Sequence, residues 1–243
     1  MDLREQSHNP NRHPWELSRA DMVLKLLLRN GRDVRYADVG SGDLYFASRL
    51  AQQTNAPVYA VDVNYDEPTV KGKIRVCTGL AQVPSASIDC AVLMDVLEHV
   101  PDDGEFLKAT TGILSPEGRV LITVPAHAFL WSEHDTFLGH YRRYDRELLQ
   151  AAITRSGLEM LESFYFYALP FMARTLSVAL ARVGFAGPRA AAVAEWPFPP
   201  QHAFTTVTRA ALNTDFRVSR FLGRNRWFRC GLSVCAICRR RSV

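Results

Sequence analysis

Between residues 35 and 166 short apolar runs alternate with amphipathic stretches. Residues 34–39, 58–61, 74–77, 88–94, 120–124 and 159–166 have the length and the branched or aromatic content of strands. Helical patterns fall between them, over residues 44–52, around 105–113 and over 146–156. Asp145 stands where the last of these needs an N-cap, and Gly157 where it needs a stop. Strands and helices alternating at this spacing predict βαβ units. The fold class expected is therefore α/β, with a mostly parallel sheet covered by helices on both faces.

The ends of the chain read differently. A helix running to about residue 28 precedes the first strand. After residue 166 comes an Ala, Leu and Val-rich stretch (168–192), a Pro-rich turn (196–200), a helical pattern (204–221) and a last strand (231–237). The expected organisation is one domain in four parts. Residues 1–30 form a helical cap, 31–166 the α/β core, 167–228 a helical insert, and 229–243 the final strand with a basic tail. Residues 164–183 are interrupted by Pro170, Arg174 and Arg182 and fall short of the ~20 apolar residues a membrane span requires. An amphipathic helix on a bilayer, a pocket lining and a plain buried helix all remain open for this stretch.

Composition adds little beyond an ordinary globular class. The chain has 243 residues, 47% of them hydrophobic and 22% charged, and a net charge of +4, which does not point to nucleic acid. The charge is unevenly placed. Arg217, Arg220, Arg224, Arg226, Arg229, Arg239, Arg240 and Arg241 crowd the C-terminal end, as a solvated face or as a surface for phosphate or anionic lipid. Residues 1–12 are polar, without an apolar h-region, and the five cysteines are odd in number. Reduced thiols and a cytoplasmic setting are expected. Cys235 and Cys238 form a C-x-x-C within an apolar run, with no second pair and no nearby His, so they read as core strand cysteines and no metal is expected.

The candidate chemistry begins at the first strand, which runs straight into Gly40-Ser41-Gly42. Glycines at such a strand-to-helix turn adopt positive φ and let the backbone approach a ligand. In an open parallel sheet, ligands bind beyond the carboxyl ends of the strands. A dinucleotide fingerprint would need a third glycine, but Asp43, Leu44 and Tyr45 follow instead. Asp43 would put negative charge where a pyrophosphate should meet a helix N-terminus. S-Adenosylmethionine carries a sulfonium and an ammonium and no phosphate. Asp38 and Asp43 therefore favour it over NAD. Asp62, at the end of the second strand, is placed to accept hydrogen bonds from ribose hydroxyls, a role common to both cofactors.

Four segments in order carry a resemblance. They are Asp38-Val-Gly40-Ser41-Gly42, Val61-Asp62-Val63, residues 88–100 with Met94, Asp95, Glu98 and His99, and residues 114–125 with Gly118. The chain resembles the class I (Rossmann-like) S-adenosylmethionine-dependent methyltransferases over residues 31–166 plus the final strand. The resemblance implies a doubly wound seven-stranded sheet whose last strand is antiparallel. It implies that Asp38, Gly40, Ser41 and Gly42 lie along the methionine part of the cofactor, with Asp62 and Val63 on the ribose. Met94 and Asp95 would line the site and His99 would lie close by. Relatives often have an acid facing the adenine amino group, where this chain has Leu80. Adenine would then be held by backbone and apolar contact, with Gln82 nearby.

The loop after the fifth strand, residues 125–144, is dense in histidine, acids, arginine and aromatics, which is where function concentrates in this kind of fold. It also resembles a branch of these methyltransferases with an S-x-H-D then G-H-x-R-R-Y pattern. His134 is the first candidate for a general base, with Asp135 beside it to orient substrate or charge, and His140 is the second. The alternative for His140, Arg142, Arg143 and Tyr144 is a structural tie to the following helix. Trp15 and Arg19 read as lid residues or, for Trp15, as core.

The function expected is methyl transfer to a small molecule, at oxygen, with an apolar, natural-product-like acceptor closed in by the insert. The alternatives are methylation of a lipid-linked saccharide at a membrane surface, with peripheral membrane contact, and a non-catalytic S-adenosylmethionine-binding protein. An NAD-dependent oxidoreductase is disfavoured by the missing glycine. Nucleic acid is not an expected partner, because no Asn-Pro-Pro-aromatic or Asp-Pro-Pro-Tyr motif is present to hold a flipped base.

Overall fold

A computed structural model describes residues 11–27, 33–183, 196–223, 225 and 227–241. Its strands are β1 (Tyr36–Val39), β2 (Val58–Val61), β3 (Thr69–Lys71), β4 (Ile74–Cys77), β5 (Ile88–Met94), β6 (Leu114–Pro125), β7 (Leu158–Phe166) and β8 (Ser233–Arg240). Its helices are α1 (Pro14–Leu27), α2 (Tyr45–Ala51), α3 (Asp103–Ile113), α4 (Glu133–Leu138), α5 (Arg146–Arg155), α6 (Ala168–Arg182) and α7 (Ala203–Leu222).

The strands form one sheet in the order β3-β4-β2-β1-β5-β6-β8-β7. Strands β4, β2, β1, β5 and β6 pair in parallel, and β8 runs antiparallel to both β6 and β7. The α/β class and the antiparallel last strand are as expected, but the sheet has eight strands, not seven. The extra strand, β3, pairs antiparallel with β4 across a turn at Gly72, whose φ is +61°. All three of its residues are exposed, so it carries no apolar alternation for a sequence reading to find.

The central strands are apolar on both faces because helices cover both. One core gathers Leu93, Leu107, Leu149 and Ile153 under α3 and α5. The other gathers Val23, Phe46, Leu50 and Phe216 under α1, α2 and α7. Cys235 belongs to the second core and Cys238 to the first, so the C-x-x-C pair points to opposite faces of β8. Both are free thiols pushed up by burial, Cys238 to about 12.

The cap and the insert meet over the carboxyl edge of the sheet. Asp21 of α1 accepts bidentate bonds from Arg209 of α7, both 2.6 Å, and one from Arg49 of α2 at 2.7 Å. Tyr167 donates to Ser18 Oγ at 2.9 Å, and the Trp196 ring stacks on Phe204 with His13 at its edge. The parts of the expected cap and of the 168–192 stretch at residues 1–10, 28–32 and 184–195 lie outside the described residues. Several C-terminal arginines are engaged rather than free. Arg220 pairs with Glu162, Arg229 with Glu147 and Arg239 with Glu159, whereas Arg224 and Arg226 lie outside the described residues. Among the described residues no helix is long and apolar enough to cross a membrane.

Candidate active site

The chain leaves β1 toward β2 on one side and returns to β5 on the other, so the sheet order reverses between β1 and β5. The crevice at this switch point is bounded by the turn after β1 and the turn after β5. Gly40 and Gly42 have φ of +75° and +54°, and a Cβ on Gly40 would run into Val96. The Gly40 and Ser41 amides donate to Val61 O at 2.8 and 3.1 Å, which ties the turn to the end of β2.

This brings the predicted acids together. Asp38 is buried and accepts from Ser41 Oγ at 2.8 Å, and burial pushes its carboxyl up to about 6. Asp62 accepts from the Gly42 amide at 2.9 Å with one oxygen and from the Asn64 amide and side chain, both 2.9 Å, with the other. Asp95 follows β5 with φ of +53° and accepts from Thr123 Oγ1 at 3.1 Å. Met94 is half-buried on the wall of this crevice, and Leu80 is half-buried against the core under α3. Val63 is 83% exposed. Gln82 is engaged locally, accepting from the Thr78 amide at 2.8 Å.

Side chains of α1 and of Arg12 just before it close over the same acids. Arg12 pairs with Asp43 and with Glu16, and its guanidinium lies 3.9 Å from the Tyr45 ring centre. Arg19 pairs with Asp95. Beneath them a cavity of about 30 Å³ is lined by Asp38, Gly40, Ser41, Asp43 and Met94, among others. A second cavity of about 560 Å³ shares Glu16 and Arg19 with it, so the two are neighbours across these side chains. Asp95, His99, His134 and His140 lie on the wall of the larger one, and α6 and α7 contribute Pro170, Arg174, Thr208 and Leu212.

The 125–144 segment is not the plain loop expected, because it contains α4. Ser132 and Asp135 form a capping box at its start, and Gly139 ends it with φ of +74°. Asp135 is fully buried, and it accepts from Ser132, from Arg143 in bidentate fashion at 2.7 and 3.0 Å, and from His140 Nδ1 at 3.0 Å. Burial alone would raise the Asp135 carboxyl, but the His140 and Arg143 hydrogen bonds outweigh it and hold the group well below the usual range. Asp135 therefore stands behind the cavity wall rather than on it. His134 and His140 both face the space. The sequence reading did not single out Arg12 or Glu16, and it placed no role on Glu98. Arg12 and Glu16 form an i, i+4 pair whose significance depends on the reach to Asp43.

The family model for a methyltransferase domain matches residues 13–163, more than half of the chain. The chain belongs to this family. A Mycolicibacterium smegmatis protein named "Probable S-adenosylmethionine-dependent methyltransferase" is 31% identical over 145 residues, covering 56% of this chain and 52% of that protein. The ubiquinone biosynthesis O-methyltransferase of Pectobacterium carotovorum is 29% identical over 111 residues, covering 45% of this chain and 41% of that enzyme. The match thus spans about half or less of the length of these curated relatives. In fold, the methyltransferase domain is similar to an S-adenosylmethionine-dependent methyltransferase from Archaeoglobus fulgidus, with a TM-score of 0.55, 16% identity and coverage of 93% of this chain and 94% of that one. The match at 13–163 takes in α1, so the family's pattern includes the helix that closes the crevice here.

Proposed function

We propose that this chain transfers a methyl group from S-adenosylmethionine to an oxygen of a small, largely apolar acceptor. The observation that carries the reading is that the acid-lined crevice at Gly40 adjoins, through the shared Glu16 and Arg19, a 560 Å³ cavity of a size suited to a small molecule. The acids fit a cationic cofactor. Asp43 and Asp95 are paired with Arg12 and Arg19, so Asp38 and Asp62 are the acids beside the glycine turn that would repel a pyrophosphate and attract an ammonium or sulfonium.

When bound, S-adenosylmethionine supplies an electrophilic methyl carbon on a positive sulfur. In this reading Asp38, Ser41 and the glycine turn hold the methionine end. Asp62 exchanges part of its hydrogen bonding for the ribose hydroxyls, and Leu80 and Met94 give apolar contact to the adenine. Asp95 and His99 stand between cofactor and acceptor. His134 takes the proton of the acceptor hydroxyl as the methyl is transferred. Asp135 and Arg143 keep α4, and with it His134, in place. Positioning the hydroxyl against the methyl contributes most of the rate, and proton removal adds a further factor of about 10²–10⁴.

The four-part organisation read from the sequence suits this function, with residues 1–30 as cap and 167–228 as insert over a common active site. A membrane-surface acceptor is the second reading. One observation favours it: Leu169, Met172, Leu176 and Leu180 of α6 are exposed along a helix that also lines the cavity through Pro170 and Arg174. The engagement of Arg220, Arg229 and Arg239 weighs against a broad basic patch. Turnover with a panel of phenolic and polyprenyl-linked hydroxyl acceptors, read as S-adenosylhomocysteine release, tests the proposal. Product from a soluble phenol supports the first reading, and product only from vesicle-borne acceptors supports the second. Cofactor binding with no turnover on any acceptor would leave a non-catalytic binding protein.

A further inference from the structure

Glu98 and His99 lie on the single turn Leu97–His99 that follows β5. His140 comes from a separate segment, just after α4. The αL glycine at 139 turns the chain, and the Tyr141 amide donates to Glu98 O at 2.7 Å, which fastens the two segments together. The His99 and His140 rings stand edge to face with centres 4.6 Å apart. One donor atom from each of Glu98, His99 and His140 lies within 4.8 Å of the other two. All three residues line the 560 Å³ cavity.

Two independent features distinguish this cluster from packed polar residues. Glu98 is 1% exposed and its Oε2 has no hydrogen-bond partner, a costly state for a buried carboxylate oxygen. His140 is oriented from behind by Asp135, whose carboxylate is fixed by Arg143 and Ser132. A carboxylate only accepts, so His140 Nδ1 is the donor and the ring's lone pair lies on Nε2. A carboxylate behind a histidine, presenting the other nitrogen, is the usual support of a metal-ligating imidazole. The neighbouring cations do not oppose a further positive charge outright, because Arg143 is paired with Asp135 and Arg19 with Asp95.

We propose that Glu98, His99 and His140 bind one divalent transition-metal ion in the wall of the cavity. Two imidazoles and one carboxylate suit Zn²⁺, Co²⁺, Fe²⁺ or Mn²⁺ better than Mg²⁺ or Ca²⁺. Donors around a tetrahedral ion with bonds of ~2.1 Å are about 3.4 Å apart, so the cluster closes by ring and carboxylate rotations of about an ångström. Three protein ligands leave a coordination position open to the cavity. There the ion would hold and acidify an acceptor oxygen, and this second part rests on the O-methylation reading above.

The test is a titration of the chelator-treated full chain with Co²⁺, followed by d–d absorption, with bound metal counted after dialysis. One equivalent is expected per chain. His140→Ala and Glu98→Gln should each weaken binding at least tenfold. Asp135→Asn, a positioning change, should weaken it by about ten- to a hundredfold while keeping one equivalent. Failure of the wild-type chain to hold a stoichiometric ion would overturn the proposal, as would unchanged affinity in a His99→Ala, His140→Ala double variant. Calorimetry with S-adenosylmethionine on the metal-free wild-type chain is read separately, so loss of the metal site and loss of the cofactor reading give different results.

Discussion

Arg19, on the helix before the first strand, pairs with Asp95, on the turn after β5, and so bridges the crevice at the switch point of the sheet. Arg12, seven residues earlier and just before α1, pairs with Asp43 on the turn after β1. These two guanidinium groups stand over a cavity of about 30 Å³, room for roughly one water molecule. Cofactor entry at this crevice is expected to require that residues 12–19 lift. A part-exposed ion pair of this kind is worth ~0.2–1 kcal/mol, so Arg12→Ala should speed S-adenosylmethionine association by up to about fivefold. Stopped-flow tryptophan fluorescence measures this, and a slower or unchanged rate would mean that the cap is not a gate.

Gly40 needs both its positive φ and its missing side chain, since a Cβ would strike Val96. Gly40→Ala is expected to lower cofactor affinity by at least tenfold and to reduce the melting temperature. Calorimetry together with thermal denaturation would show it. A variant that binds normally would remove the turn from the site.

Asp38 gives cofactor binding a pH dependence. Burial raises its carboxyl to about 6, so the group takes up a proton as pH falls below that value. A cationic ligand favours the ionised form. Affinity for S-adenosylmethionine should be level above pH 7 and should fall by up to about tenfold per unit below pH 6. An affinity independent of pH between 5 and 7.5 would show that Asp38 does not meet the cation.

Asp21 joins α1 to α2 and α7 through Arg49 and Arg209. Burial opposes its ionisation, but the Arg209 and Arg49 hydrogen bonds prevail and hold its carboxyl below the usual value. For a depressed carboxyl, the stability is present above the unfolded-state value and is lost as pH falls through the folded one. Removing one partner of a buried pair costs ~3–5 kcal/mol, and partial solvation of both arginines reduces this to about 2. Asp21→Asn should lower the melting temperature at pH 7 by ~4–8 °C, with the gap from wild type narrowing at acid pH. Equal melting at pH 7 would contradict the assignment.

His134→Ala should lower kcat by about 10²–10⁴ with cofactor affinity within twofold of wild type. Unchanged product formation would transfer the proton to another group or to bulk water.

Much of this architecture was legible in the sequence because parallel strands buried on both faces leave continuous apolar runs. The runs at β1, β2, β4 and β5 lie within a residue or two of the expected bounds. The exposed β3 and the capped turn of α4 left no such trace, since one has no buried side and the other is held by Ser132 and Asp135 rather than by periodicity. In the candidate site, the glycine turn and Asp62 are local signals, and the chain brings them within 2.9 Å of each other. Asp135 looked like a substrate group because it neighbours His134, yet the helical turn sends the two side chains in different directions. Arg12 and Glu98 take their meaning from segments distant in the chain, and no spacing announces such contacts.

The central claim is that the crevice at Gly40 and Asp62 binds S-adenosylmethionine. Isothermal calorimetry of the wild-type chain and of Asp62→Ala with S-adenosylmethionine and with NAD tests it most directly. The account predicts one site for S-adenosylmethionine, a loss of about ten- to a hundredfold in affinity in Asp62→Ala, and no heat with NAD. Binding of NAD alone, or equal affinity for S-adenosylmethionine in both proteins, would contradict it.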